Sequence, residues 1–203
     1  MNNEVMQSMA NIWKRIEIQL RIEADFERLS YVDALADFQP SATEEEIQLA
    51  EAALGVVFPE DVKASYRIHN GRMVIGGPDQ CLQRLCSLQE IVSLWEMMKP
   101  YASGAQGKIA DDWLSWDGQP IRVRVEHWNV KWIPLLESDG GDLVCLDLAP
   151  TPHGQLGQII DSVAENGVNH RWLAPSWHAF LSTFADDLEA GEYCYEEGML
   201  TWS

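Results

Sequence analysis

The feature that most constrains the fold is a run of apolar segments and turn residues between positions 132 and 161. Two apolar segments, residues 133–136 and 143–148, flank the polar sequence S-D-G-G at 138–141. Because glycine adopts turn conformations without a Cβ clash, this spacing predicts two antiparallel strands joined by a tight turn. A pair of prolines then ends the second strand, and residues 157–161 predict a third.

The turn itself carries two predictions. A tight hairpin requires positive φ, so either Gly140 or Gly141 should adopt it. Three carboxylates, Asp139, Asp142 and Asp147, lie on or beside the turn. Two interpretations remain open: an ordinary hairpin with solvated acids, and an edge that recognises another molecule.

Helical signals surround this region. Apolar residues recur at helical spacing over residues 5–29, and a capping box of Thr43 and Glu46 begins a second helix that Gly55 should end. Ser87 is a candidate N-cap for a helix over residues 88–98. Short strands are predicted over residues 73–75 and over 121–126, where apolar and charged residues alternate.

The last helix begins after Pro175 and has an aromatic face. Trp177, Phe180 and Phe184 share that face, and we expect them to pack against the side of the sheet that carries Leu143 and Cys145. Helices at both ends of a run of strands predict an α+β fold. Its mainly antiparallel central sheet would be flanked by N-terminal helices and a C-terminal helix.

Composition limits the class of protein. The chain has 203 residues, 46% of them hydrophobic, which suits one domain with a buried core. No apolar run approaches the roughly 20 residues needed to span a bilayer, and the first residues lack a signal-peptide pattern, so a cytoplasmic protein without membrane contact is predicted. Four cysteines without metal-site spacing are expected to be thiols, with Cys145 buried in its strand.

The net charge of −18 is concentrated in three segments. Residues 29–62 contain eight acids, residues 132–170 six and residues 172–203 six, and none of the three contains Lys or Arg. A negative surface repels phosphate backbones and steers basic proteins, which argues against nucleic acid and for a basic protein partner. Solubility alone is the alternative explanation.

Motifs of the common enzyme classes are missing. The sequence has no phosphate-binding loop, dinucleotide-binding turn, nucleophile elbow or H-E-x-x-H pair. His153 and His170 could meet the acids of the turn, but nothing in the sequence requires that convergence.

Nine tryptophans are present; Trp95 and Trp177 are expected in the core, and four central ones could be core residues or exposed anchors for a partner: Trp113, Trp116, Trp128 and Trp132.

Several short motifs, taken in order, resemble the SUKH superfamily (the Smi/Knr-like domain), which is related to a yeast regulator of cell-wall assembly and killer-toxin resistance. The resemblance covers about residues 40–190 and leaves residues 1–39 as a helical extension packed on the domain and 191–203 as an acidic tail. Residues 94–128 look expanded. The motifs are T-E-E-E-I at 43–47, L-G at 54–55, F-P-E-D at 58–61, H-N-G at 69–71, W-I-P at 132–134, G-D at 141–142 and the helix at 180–188.

The resemblance implies a non-catalytic module that binds proteins. Its bacterial members imply an immunity protein that neutralises a toxin, here a basic one, and its yeast relative implies a regulatory scaffold for cell-wall synthesis. A hydrolase built on Asp139 and Asp142 is the third possibility. No cofactor, metal or catalytic residue is predicted; the predicted partner-binding residues are Trp132, Asp139, Gly140, Gly141, Asp142 and Asp147.

Overall fold

A computed structural model describes residues 3–26, 40–71, 74–76, 82–102, 120–162, 170–196 and 199–202. Five α-helices, one 3₁₀ turn and eight strands lie in these ranges. The helices are α1 Asn3–Phe26, α2 Glu44–Leu54, α3 Glu60–Tyr66, α4 Leu88–Met98 and α5 Trp177–Glu189, with the 3₁₀ turn at Lys99–Tyr101. The strands are β1 Val74–Gly76, β2 Leu82–Leu85, β3 Trp132–Glu137, β4 Leu143–Asp147, β5 Gln158–Ser162, β6 Arg171–Ala174, β7 Tyr193–Glu196 and β8 Met199–Trp202.

The central sheet is a six-stranded antiparallel meander in the order β1-β2-β3-β4-β5-β6. Every neighbouring pair is antiparallel, and the predicted hairpin is the pair β3–β4, with Trp132 opposite Asp147 and Glu137 opposite Leu143. Strands β7 and β8 form a separate hairpin within the residues where an acidic tail is expected. The α+β prediction is therefore confirmed.

The helix boundaries follow their caps. Both capping boxes are present, Thr43 with Glu46 on α2 and Ser87 with Glu90 on α4, so each box satisfies donors that a helix start would otherwise leave unpaired. Gly55 ends α2 in the left-handed conformation at φ 63°. The predictions made for these three helix ends are confirmed.

The N-terminal helix α1 packs against α3 and α5. Its buried stripe meets their apolar faces, and the Trp13 indole donates to the hydroxyl of Ser65 at 3.1 Å. A second polar contact joins Glu17 to His69 at 2.8 Å. The stripe consists of Met9, Ile12, Trp13, Ile16 and Leu20. None of the helices in the described ranges is both long and apolar enough to cross a bilayer.

The two faces of the sheet bury different clusters. Val144 and Leu146 of β4 join the large core beneath the helices, together with Trp177 and Phe184 of α5. Leu143 and Cys145 point the other way. The predicted packing of α5 on the Leu143 side is therefore wrong, because side chains alternate along a strand and a shift of one residue exchanges the two faces.

The face that carries Leu143 is covered by an irregular segment, and Leu94 and Met98 of α4 also pack against the cluster there. Residues 121–126 are predicted as a strand, but in the structure they form no strand and instead cross this face, where Val123 is buried. Their backbone pairs with the loop after β4, since Thr151 N–H donates to Arg122 O at 3.2 Å. The alternation of apolar and charged residues over 121–126 therefore reflects a half-buried segment that does not form a strand of the sheet.

Other differences are small or fall outside the described residues. Helix α1 begins at Asn3 and is described to Phe26, so the end predicted at 29 lies beyond it. Strand β1 begins at Val74, and Trp113 and Trp116 lie in a range that the structure does not describe. Strands β2, β6, β7 and β8 are short and were not predicted.

Replacing Phe184 by Ala should lower the free energy of unfolding by about 3–5 kcal/mol, the usual cost of removing a buried aromatic ring. Phe184 is 2% exposed and packs edge-on against Tyr193, with ring centroids 5.3 Å apart. Urea denaturation of both proteins measures the difference. The matched control is Phe180→Ala, since Phe180 is only partly buried and should cost less; a loss below about 1 kcal/mol at Phe184 would mean that α5 is peripheral.

Candidate functional site

The turn of the β3–β4 hairpin is closed by its own polar groups. Ser138 N–H donates to Asp142 O at 2.9 Å, and Gly141 N–H donates to Ser138 O at 3.0 Å. The Ser138 hydroxyl accepts from Asp142 N–H at 3.0 Å. Gly141 has φ 83°, which confirms the predicted positive φ in this turn.

Four of the six predicted contact residues lie together at this turn. Asp139, Gly140 and Gly141 are exposed, and Asp142 is half-buried. The nearby Glu137 is held by Arg84, whose guanidinium also reaches Glu90. Asp139 therefore presents its carboxylate to solvent on a turn whose backbone is fixed.

The other two predicted contact residues lie at the opposite end of the hairpin. Trp132 and Asp147 face each other across β3 and β4, and both have 0% relative exposure. A partner cannot reach either side chain. Trp132 and Asp147 are therefore corrected from surface contacts to core residues, since they lie on the sheet face that the irregular segment covers.

A buried carboxylate joins three strands at this end. Asp147 Oδ1 accepts from the Trp132 indole at 3.1 Å and from Ala149 N–H at 2.8 Å. Its Oδ2 accepts from the Gln158 side-chain amide at 2.8 Å. Trp132, Asp147 and Gln158 occupy matching positions on β3, β4 and β5, so their side chains share one face. We call these three residues the Asp147 network.

Burial raises the pKa of Asp147, although its three hydrogen-bond donors act in the opposite direction. The Gln158 amide also donates to Arg122 O at 3.0 Å, which ties the irregular segment to the network. A buried carboxylate that accepts three hydrogen bonds is a structural group. Its partners are all donors, and it has no path to solvent.

Groups that could serve catalysis are separated, and the two thiols are buried. The imidazole of His170 donates to Glu126 O at 2.6 Å and packs on Trp132, while His153 lies in the loop between β4 and β5. Neither is brought to the turn. Burial raises the pKa of the Cys86 thiol to about 12 and that of Cys145 well above its usual value, so both are protonated at neutral pH. In the described ranges no cluster of three or more His, Cys, Asp or Glu could hold a metal ion.

Among the tryptophans whose burial the structure describes, the most exposed one is not a predicted anchor. Trp128 and Trp132 are fully buried, whereas Trp172 on β6 is 38% exposed and lies under the guanidinium of Arg122. No sequence pattern predicts this, because exposure of Trp172 depends on β6 being the last strand of the sheet. Two aliphatic side chains, Val57 and Leu156, are also strongly exposed.

Comparison with known proteins gives one family. The sequence profile of the SMI1 / KNR4 family (SUKH-1) matches residues 41–183. A cell wall biosynthesis/cell cycle regulator from Schizosaccharomyces pombe is 30% identical over 177 residues, covering 83% of this chain and 35% of the relative. The cell wall assembly regulator of Saccharomyces cerevisiae is 27% identical over 192 residues (79% and 38%). A glucan synthesis regulatory protein of Neurospora crassa is 26% identical over 199 residues (83% and 37%).

Removing the buried carboxylate should destabilise the protein strongly. Asp147→Ala leaves the Trp132 indole, the Ala149 N–H and one N–H of the Gln158 amide without their acceptor, and each buried unsatisfied donor costs about 1–3 kcal/mol. We expect a loss of about 3 kcal/mol or more in urea denaturation at pH 7. Asp139→Ala is the matched control, because the same substitution at an exposed position should change stability by about 0.5 kcal/mol or less. Equal effects at both positions would show that the network contributes nothing.

Proposed function

This chain belongs to the SMI1 / KNR4 family (SUKH-1), and we propose that it is a non-catalytic regulatory domain that works by binding other proteins. The observation that carries the proposal is the family match, since the three relatives described above are named as regulators. The chemistry of the described residues agrees with it. The Asp147 carboxylate and the thiols of Cys86 and Cys145 are buried.

The biological setting belongs to the proposal too. The chain spans less than two fifths of the length of these three fungal relatives, so a regulatory activity like theirs is part of our proposal. Their names favour a role in regulating cell-wall synthesis. Neutralisation of a toxin, the first interpretation of the sequence, receives no support from these names and stays a prediction.

The contact surface that we propose is the turn formed by Asp139, Gly140, Gly141 and Asp142. Its support is the exposed carboxylate on a fixed backbone, in a chain of net charge −18. Such a field accelerates the approach of a basic partner, and charges at the rim of an interface act mainly on the association rate. The half-buried Asp142 would help to orient the turn.

A hydrolase is the competing class. It would need a base or a metal beside Asp139 and Asp142, and the structure directs His170 to Glu126 O and away from those acids. Purified protein that turns over a substrate, and loses that activity on Asp142→Asn, would replace the binding proposal.

Reversing the charge of the turn should weaken binding without unfolding the protein. A binding protein is first identified by capture from the source organism, and its kinetics are then measured with purified components at low and high salt. Asp139→Lys with Asp142→Lys should slow association about tenfold at low salt, and the difference should shrink at high salt because exposed charges are screened.

The control for that experiment carries the same change in net charge elsewhere. Glu45→Lys with Glu192→Lys alters two exposed acids outside the hairpin. If this control slows association as much as the turn variant, the field of the whole protein is responsible and the turn is not the contact. If neither variant changes the kinetics, the contact lies elsewhere.

A further inference from the structure

A second surface carries an exposed cation stacked on an aromatic ring. The guanidinium of Arg122 lies 4.6 Å from the ring centroid of Trp172, and both side chains are exposed to solvent. In the part of the chain that the structure describes, Arg122 forms no ion pair, although most other arginines there do. A cation stacked on an indole and open to water can accept an additional anionic partner.

The backbone beneath this pair is fixed. Arg122 O accepts from Thr151 N–H at 3.2 Å and from the Gln158 side-chain amide at 3.0 Å. Gly154 packs so closely that a Cβ there would lie 2.5 Å from Arg122 O. The backbone that carries the Arg122 side chain is therefore held in place, which reduces the conformational entropy lost when a ligand binds.

Trp172 lies on a sheet edge. Strand β6 is the last strand of the sheet and pairs with β5; within the described residues no strand lies on its other side. It is also the least buried of the strands from β3 to β6. Its register with β5 is regular at Arg171 and Trp172 and shifts beyond them. Unpaired backbone groups of an edge strand can pair with an extended peptide.

The charge beside Trp172 is that of Arg122. Arg171, the neighbour of Trp172 on β6, already pairs with the buried Asp161, and within the described residues no acid forms an ion pair with Arg122. At physiological salt, charges more than about 8 Å away are largely screened, so this patch can attract an anion although the whole chain is acidic.

We infer that the Arg122–Trp172 pair and the edge of β6 form a docking site for an extended acidic peptide segment of a partner protein. The peptide backbone would pair with the outer edge of β6 beside Trp172. A Glu or Asp side chain of the peptide would accept from the Arg122 guanidinium, and its neighbouring residue would cover the Trp172 ring. This inference rests on the proposed protein-binding function and assigns it a second contact of opposite charge.

The test uses the full chain and a displayed library of random nonapeptides. Selected peptides are synthesised and titrated against wild type, Arg122→Glu and Trp172→Ala, with circular dichroism to confirm that each variant is folded. We expect enrichment of Asp and Glu, and affinity about tenfold or more weaker for Arg122→Glu. Hydrogen exchange of the wild-type complex should show new protection within β6 beyond Arg171, whose N–H already donates to Asp161 Oδ1 at 3.0 Å.

Two controls separate this site from the turn. The variant Asp139→Lys with Asp142→Lys should bind the selected peptides as wild type does; if it alone loses them, the turn is the contact and the β6 site is refuted while the proposed function stands. Lys14→Glu removes another exposed cation and should have no effect. Failure to enrich acidic peptides, binding that is insensitive to Arg122→Glu, or displacement of the peptides by a single-stranded oligonucleotide at equal concentration would overturn the inference.

Discussion

The buried carboxylate of Asp147 is the interaction on which the central sheet depends. It accepts from β3 through Trp132 and from β5 through Gln158, and it also accepts from the backbone immediately after its own strand. A buried acid is costly unless its oxygens are satisfied, and here the donors come from the two neighbouring strands and from the loop after β4. The irregular segment that closes this face is attached through Gln158 and Arg122 O. The hydrogen bonds around Asp147 therefore hold the register of β3, β4 and β5 and attach the segment that covers the second face of the sheet.

This arrangement places exposed groups on rigid supports at separate parts of the molecule. The turn with Asp139 projects from the end of the hairpin opposite Asp147, and Arg122 is held by the same glutamine that binds Asp147. One surface is negative and the other is locally positive. A domain of the SMI1 / KNR4 family that regulates by binding would gain from two such surfaces, because contacts of opposite charge can select a partner and its orientation together.

Sequence reasoning succeeded where structure is set by neighbouring residues. The caps at Thr43 and Ser87 and the positive φ in the turn are local effects of side-chain hydrogen bonding and of glycine. The predictions failed where the burial of a residue depends on distant parts of the chain. The face of β4 that meets α5 changes when the register shifts by one residue. The sequence alone does not show which loops cover Trp132 and leave Trp172 exposed. The family resemblance is confirmed. Of the six predicted contact residues, Trp132 and Asp147 are buried, and contact through the other four stays a prediction.

A double-mutant cycle between Trp132→Phe and Gln158→Leu tests most directly whether Asp147 joins the strands. Both side chains donate to that carboxylate, one from β3 and the other from β5. Urea denaturation of wild type, the two single variants and the double variant gives the coupling free energy. The account predicts coupling of about 0.5 kcal/mol or more, because losing one donor alters the acid that the other needs. Additive losses, within about 0.3 kcal/mol, would contradict a shared network at the centre of the sheet.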